Sequence, residues 1–179
     1  MHALPLLQVS IENYLAGERI SQVRHEYVSG TIFAMAGASK RHNVISLNVA
    51  SSLRTASREC VTRMADVLVR IDQALYYPDV MVVCEPNNDS FVETSPCLIV
   101  EVLSDSTEAI DRREKLNAYR KISQLKAYVL IAQNARLVDV YRRNGISWTL
   151  ETYAADDVIQ LDCPKTLLTL ASVYDGTDL

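Results

Sequence analysis

The sequence predicts an α/β fold: a mixed β-sheet flanked by helices, with an N-terminal hairpin and a C-terminal β-meander. The first observation is the order of segments, which runs helix, hairpin, helix, sheet, helix, sheet, as expected for a sheet with helices on both faces. The second is the run CLIVEVLS at residues 97–104. There, Leu98, Val100 and Val102 alternate with Ile99, Glu101 and Leu103, so both faces of the strand are oily apart from one carboxylate. Such a strand is central and covered from each side. The third is the succession AYVLIA, RLVDVYRR and SWTLETYA, strand-like segments with short breaks, which reads as a meander. A chain of 179 residues with 49% hydrophobic content has enough apolar material for one real core, so a single domain over 1–179 is expected.

In chain order, Ser10 is placed to cap a short helix over SIENYLA, residues 10–16. HEYV and TIFAMA flank Ser29 and Gly30, a two-residue hairpin turn in which glycine supplies a positive φ. Ser39 caps a helix running to about Ser57, with Val44, Leu47, Ala50, Ser51 and Arg54 near helical spacing. Strand-like stretches follow at CVTRMADVLVRI, ALYYPDVMVVCE and CLIVEVLS, all rich in β-forming residues. The intervening PNNDSFVETSP has the Pro, Asn and Asp content of a loop. Asp105 and Glu108 have capping-box spacing and open a helix ending near Ile122. In the meander, Asn144 and Gly145 mark the last hairpin turn, and TLLTLASVYD is either a final helix or an irregular apolar segment.

Composition narrows the function classes. A net charge of -4 and a pI near 5.4 give no bulk attraction to phosphate or to an anionic membrane. Cys60, Cys84, Cys97 and Cys163 include no Cys-x-x-Cys pair, and three lie in apolar runs, so reduced thiols and a cytoplasmic setting are expected. MHALPLLQVS lacks the pattern of an export leader, and no stretch has the length to span a bilayer. There is no Gly-rich phosphate loop, zinc-ligand spacing or nucleophile elbow. Ser104 has no base in its local pattern, so covalent catalysis is set aside.

The candidate site begins with Glu101, because a buried unpaired carboxylate costs several kcal/mol or is driven neutral. Asp79 follows Pro78, where strand pairing loosens, and its carboxylate is free to face a neighbouring strand end. If the two strands pair, Asp79 and Glu101 converge on one hard cation such as magnesium. The alternatives are that Asp79 is an ordinary turn acid and that Glu101 pairs with a buried Arg or Lys. In the next helix, Lys115, Ala118, Tyr119 and Ile122 share one face, which turns Lys115 inward with Asp111 one turn before it. Its plainer reading is a snorkelling surface lysine.

Taken together, Pro78-Asp79, the loop, Glu101 within EVLS, and then Asp111, Lys115 and Tyr119 resemble the PD-(D/E)XK nuclease superfamily. Within it, the chain is similar to the Uma-type restriction endonuclease-like family. HEYVSGTIFAMAG, SKRH, YYPDVMVVC, IVEVLSDST and DRREKLNAYRKI carry that likeness over most of the chain. The resemblance implies a restriction-endonuclease-like domain that hydrolyses DNA phosphodiester bonds with magnesium or manganese. Asp79, Glu101 and the backbone carbonyl of Val102 would hold the metal, and Lys115 would orient water or stabilise developing charge. Glu26 matches an acid near the start of the family pattern, with a contact to the metal through water. Its alternative is an exposed strand acid beside Arg24. One departure stands out: the superfamily lysine two residues beyond the acid is here Leu103, so its role passes to Lys115 from the helix.

The resemblance also favours a homodimer, for which the apolar edge of residues 127–153 is one interface. His42 at a helix start is a further general-base candidate, against the plainer reading of a cap-region residue. Lys40, Arg41, Arg54, Arg58, Arg63 and Arg70, and likewise Arg112, Arg113, Arg120 and Lys121, form basic strips that support DNA contact only weakly. The reading from a different class is a non-catalytic nuclease-like module that binds DNA or a protein partner.

Overall fold

The computed structural model describes residues 8–105 and 107–179. Residues 1–7, part of the stretch read above for a leader, and Ser106 lie outside them. The first helix, α1 (Ile11–Glu18), starts at Ser10, whose hydroxyl accepts the Asn13 N–H. Strands β1 (His25–Val28) and β2 (Thr31–Ala34) form the expected hairpin, with Val28 opposite Thr31. Ser29 and Gly30 both take positive φ, 47° and 94°, as a turn matching the strand twist requires.

Helix α2 (Lys40–Ala56) starts at Ser39, which accepts the His42 N–H. Its inward face differs from the expected one. Ile45, Ser46, Val49, Ala50 and Leu53 are buried, whereas Leu47 is 56% exposed. Ile45, Val49 and Leu53 make a continuous stripe at successive helical turns, and this stripe packs on the sheet in preference to one ending in Ser51 and Arg54.

Two expected strands each divide. Residues 60–71 give β3 (Val61–Met64) and β4 (Leu68–Ile71), separated at Ala65 with φ 46°. Residues 74–85 give β5 (Ala74–Tyr76) and β6 (Val80–Val83), separated at Tyr77-Pro78-Asp79, where Pro78 has no N–H for a ladder. The short β7 (Val92–Glu93) lies within the expected 86–96 loop and pairs in parallel with β4. Strand β8 (Leu98–Leu103) is as expected.

The Asp105 capping box is not the helix start. The N-cap of α3 (Glu108–Ile110) is Thr107, and the Ser104 carbonyl accepts the N–H groups of Thr107 and Glu108. The helix then widens into a π-helical stretch, Asp111–Lys115, before α4 (Leu116–Tyr119).

The meander is β9 (Ala127–Ala132), β10 (Leu137–Asn144) and β11 (Ser147–Ala154). Its last turn is Gly145-Ile146, one residue later than expected, because Asn144 pairs with Ser147. A second hairpin, β12 (Val158–Asp162) and β13 (Lys165–Thr169), precedes a short α5 (Leu170–Val173). The tail read as helix or irregular is therefore strand first and helix last. Alternate burial of Ile159 and Leu161 on β12 gives it the period of a half-buried strand.

The sheets explain why the strands divide. β3 and β6 belong to a six-stranded sheet in the order β11-β10-β9-β8-β6-β3, while β4 and β5 join β1 in a five-stranded sheet in the order β2-β1-β5-β4-β7. The larger sheet is mixed, since β8 is parallel to β9 and antiparallel to β6. Leu98, Val100 and Val102 pack with Ile45, Val49 and Leu53 of α2, and Ile99 and Leu103 pack with Leu116, Tyr119 and Ile122. β8 is therefore covered on both faces, as its composition implied.

The expectation of four reduced, separate thiols is corrected. Cys60 is bonded to Cys84, and Cys97 to Cys163. Pairing of β3 with β6 sets Cys60 beside Cys84, a neighbourhood that spacing along the chain does not reveal. Among the described residues, no helix is long and apolar enough to cross a membrane.

The corrected face of α2 can be checked directly. Leu53→Ala should cost about 2–5 kcal/mol and Leu47→Ala no more than about 0.5 kcal/mol, read by denaturant unfolding. Equal losses would restore the expected face.

Candidate active site

The divided strand positions the site. Asp79 directly precedes β6, and the register Val80 opposite Val100 sets it across from Glu101. Each acid is held by a backbone N–H of the other's segment. Asp79 N–H donates to Glu101 Oε2 at 3.2 Å, and Val102 N–H donates to Asp79 Oδ2 at 2.7 Å. Glu101 is 3% exposed. Its other oxygen, Oε1, accepts from Lys115 Nζ at 3.2 Å and Tyr119 Oη at 2.9 Å.

Lys115 reaches this point from the π-helical stretch, a helical irregularity that is frequent at functional sites. Asp111, Lys115 and Leu116 are all buried there. The Lys115 ammonium also stands 2.9 Å from Glu26 Oε1 and 3.3 Å from Asp111 Oδ1. Glu26 comes from β1 and accepts the Tyr77 N–H at 3.2 Å, which ties the N-terminal hairpin to the strand break. On the other side, His42 Nε2 lies 3.1 Å from Asp79 Oδ2.

The electrostatics follow from this crowding. Burial disfavours the Lys115 ammonium, but Glu101, Glu26 and Asp111 outweigh it and hold its pKa well above the ordinary value. Burial pushes Glu101 well up, against the pull of Lys115, and the charges of Asp111, Asp79 and Glu26 push the same way. Asp111 is raised for the same leading reason, again with Lys115 opposing. His42 is raised: burial opposes protonation, and the hydrogen bond and charge of Asp79, with the Val102 backbone, exceed it. Four carboxyl groups, those of Glu26, Asp79, Glu101 and Asp111, share the site with one ammonium, and their mutual repulsion adds to burial in favouring the protonated forms of Glu101 and Asp111.

These positions decide between the alternatives. Glu101 does pair with a buried lysine, and that lysine is Lys115 with its ammonium buried rather than snorkelling to water. Asp79 is bound into the site and is not an ordinary turn acid. Glu26 faces Lys115 with its side chain only 15% exposed, so the reading of an exposed strand acid does not hold. Leu103, at the superfamily lysine position, is packed in the core. His42 comes to the site from the first turn of α2. The Tyr119 hydroxyl was not anticipated as a partner of Glu101, although Tyr119 lies one turn beyond Lys115 on the same stripe. Four of the ten residues in the basic strips are paired with acids: Arg41 with Asp178, Arg63 with Glu93, Arg112 with Glu108 and Asp139, and Lys121 with Asp72.

Residues 11–171 match the Uma2 family model, described as "Putative restriction endonuclease". The chain belongs to the Uma2 family. An uncharacterized Synechocystis protein is 34% identical to this Uma2 chain over 179 residues, covering 96% of it and 94% of the relative. A second uncharacterized Synechocystis protein is 34% identical over 140 residues, covering 74% of this chain and 79% of its own. The fold is also that of a solved Anabaena variabilis protein described as "a putative nuclease belonging to DUF820". That likeness has a TM-score of 0.75 at 14% identity, and covers 93% of this chain and 97% of the other. The Uma2 assignment thus agrees with the restriction-endonuclease-like fold expected from the motifs, and with a nuclease-like function.

The raised Glu101 pKa has a consequence for stability. The folded protein keeps a proton that the unfolded chain releases in the ordinary carboxylate range. That contribution is complete below this range and is lost as pH rises through the raised value. In chelator, wild-type stability should therefore fall as pH rises above the ordinary carboxylate range, and Glu101→Gln should flatten the fall. Denaturant midpoints across pH measure this, and parallel profiles for the two proteins would remove Glu101 as the cause.

Proposed function

We propose that this Uma2 protein is a divalent-metal-dependent endonuclease that hydrolyses DNA phosphodiester bonds. The observation that supports it most is the interlocked pair Asp79 and Glu101 with the buried Lys115 ammonium directed at Glu101. The donor set fits a hard cation: two adjacent carboxyl groups and the backbone carbonyl of Val102 supply oxygen ligands, and a divalent cation would displace the proton that burial favours on Glu101. Magnesium or manganese held there would polarise the phosphate and lower the pKa of a bound water. Lys115 stabilises developing negative charge or orients the water. Glu26 and Asp111 position Lys115 by ion pairing, Tyr119 orients Glu101, and His42 orients Asp79.

We infer a single domain in a homodimer, since two strands need two cuts. The edge strand β11, with Leu150 exposed, offers a pairing surface. Sedimentation at several concentrations should show the dimer, and a monomer throughout would exclude it. The second reading, a non-catalytic module binding DNA or a protein, draws on Leu103 at the usual lysine position and on the paired arginines.

Purified protein should cleave DNA with magnesium or manganese, not with chelator, and without ATP. Lys115→Ala should reduce turnover by about a hundredfold or more while leaving metal affinity largely intact. Leu103→Lys added to Lys115→Ala should recover part of the loss, with melting confirming that each variant folds. Calorimetric titration should show that Glu101→Ala loses metal binding. DNA binding without cleavage under any metal would favour the second reading, and a folded Lys115→Ala protein as fast as wild type would remove Lys115 from the mechanism.

A further inference from the structure

We propose that the cysteines at the ends of β6 and β8 remote from Asp79 and Glu101 form, once reduced, a tetrathiolate site for one zinc ion. Cys60 precedes β3, Cys84 follows β6, Cys97 precedes β8 and Cys163 lies in the turn between β12 and β13. Segments far apart in the chain thus bring their sulfurs to one place. Cys84 Sγ lies 3.3 Å from Cys163 Sγ and 3.6 Å from Cys97 Sγ, across the two disulfides rather than within them. The sulfurs of Cys60, Cys84 and Cys163 all lie within 4.8 Å of one another.

A zinc ion held by four thiolates at about 2.3 Å sets its sulfurs about 3.8 Å apart. The contacts across the disulfides are already near that separation, and zinc would draw the bonded pairs, Cys60 with Cys84 and Cys97 with Cys163, apart to it. This closeness disfavours a four-iron cluster, in which each cysteine binds a different iron and the sulfurs stand farther apart. Cys60, Cys84 and Cys163 are half-buried at the rim of a core, within reach of an ion and a reductant, while Cys97 is buried. β-Strands fix the backbone around Cys60, Cys84 and Cys97, so the site is largely organised before metal arrives.

The conversion balances with a phosphine as reductant. Each disulfide takes two electrons from one phosphine, which becomes the oxide with oxygen from water, and the water's hydrogens leave the sulfurs as thiols. Zinc binding then releases the thiol protons to solvent.

The test is metal loading of the full chain after phosphine reduction without oxygen, with zinc or cobalt as the probe. One zinc per chain should survive desalting. Cobalt should show the d–d bands of a tetrahedral site with a thiolate charge-transfer band, and that band should persist in Glu101→Ala, which separates it from any ion at the acidic site. Cys97→Ser or Cys163→Ser should lower affinity by at least about tenfold. Reduced wild type that is folded by circular dichroism and takes up no zinc would overturn the proposal, as would octahedral cobalt. Should the reduced chain unfold, zinc must restore its melting transition, and failure to do so overturns it equally. If the serine variants do not fold, the wild-type cobalt spectrum alone decides.

Discussion

The Lys115 ammonium, buried among the carboxylates of Glu26, Glu101 and Asp111, is the interaction on which the rest of the site depends. Each acid comes from a different place: Glu26 from the hairpin sheet, Glu101 from the centre of the larger sheet, and Asp111 from the same helix as the lysine. One cation thus joins both sheets and the helix. Removing one partner of such a buried pair typically costs about 3–5 kcal/mol, because the charge left behind is neither solvated nor paired. The lysine therefore binds the fold together at the same point where it supplies positive charge to a candidate reaction centre.

The strand break at Tyr77-Pro78-Asp79 is the backbone counterpart of that contact. Residues before it belong to the five-stranded sheet, and residues after it to the six-stranded sheet. At the break, the Tyr77 N–H turns to Glu26 and the Asp79 N–H to Glu101, so backbone donors lost to sheet pairing are satisfied by the site's own acids. Proline at 78 suits this position because it has no donor to satisfy. The same feature that separates the sheets also presents the carboxylate of Asp79.

The charge distribution is local rather than global. The acidic balance of the chain and the pairing of Arg41, Arg63 and Arg112 with nearby acids leave little uniform positive field. The electrostatic character of the site comes from desolvated groups within hydrogen-bond reach of each other, where interactions are far less screened than on the surface. A divalent cation would suit that arrangement, since it would relieve the mutual repulsion of carboxyl groups that share one ammonium. At the opposite ends of β6 and β8 the two disulfides gather, so these two strands carry carboxyl groups at one end and sulfurs at the other.

Much of this was legible in the sequence for a physical reason. Strand alternation around Glu101, helical spacing around Lys115 and the pairing-breaker Pro78 are local patterns, and each reports on one element's own faces. Ser10 and Ser39 as caps and Ser29-Gly30 as a turn were likewise determined by residues within one turn of themselves. Other features needed the tertiary structure. The face of α2 was settled by which stripe packs on β8, and the division of residues 60–85 by two sheets competing for the same strands. The Cys60–Cys84 neighbourhood depended on β3–β6 register. The sequence by itself determined which residues are suited to the core, the turns and the candidate site. Only the tertiary structure decided which of them meet, because convergence of Glu26, Glu101 and Lys115 depends on contacts between elements, and local periodicity contains no record of those.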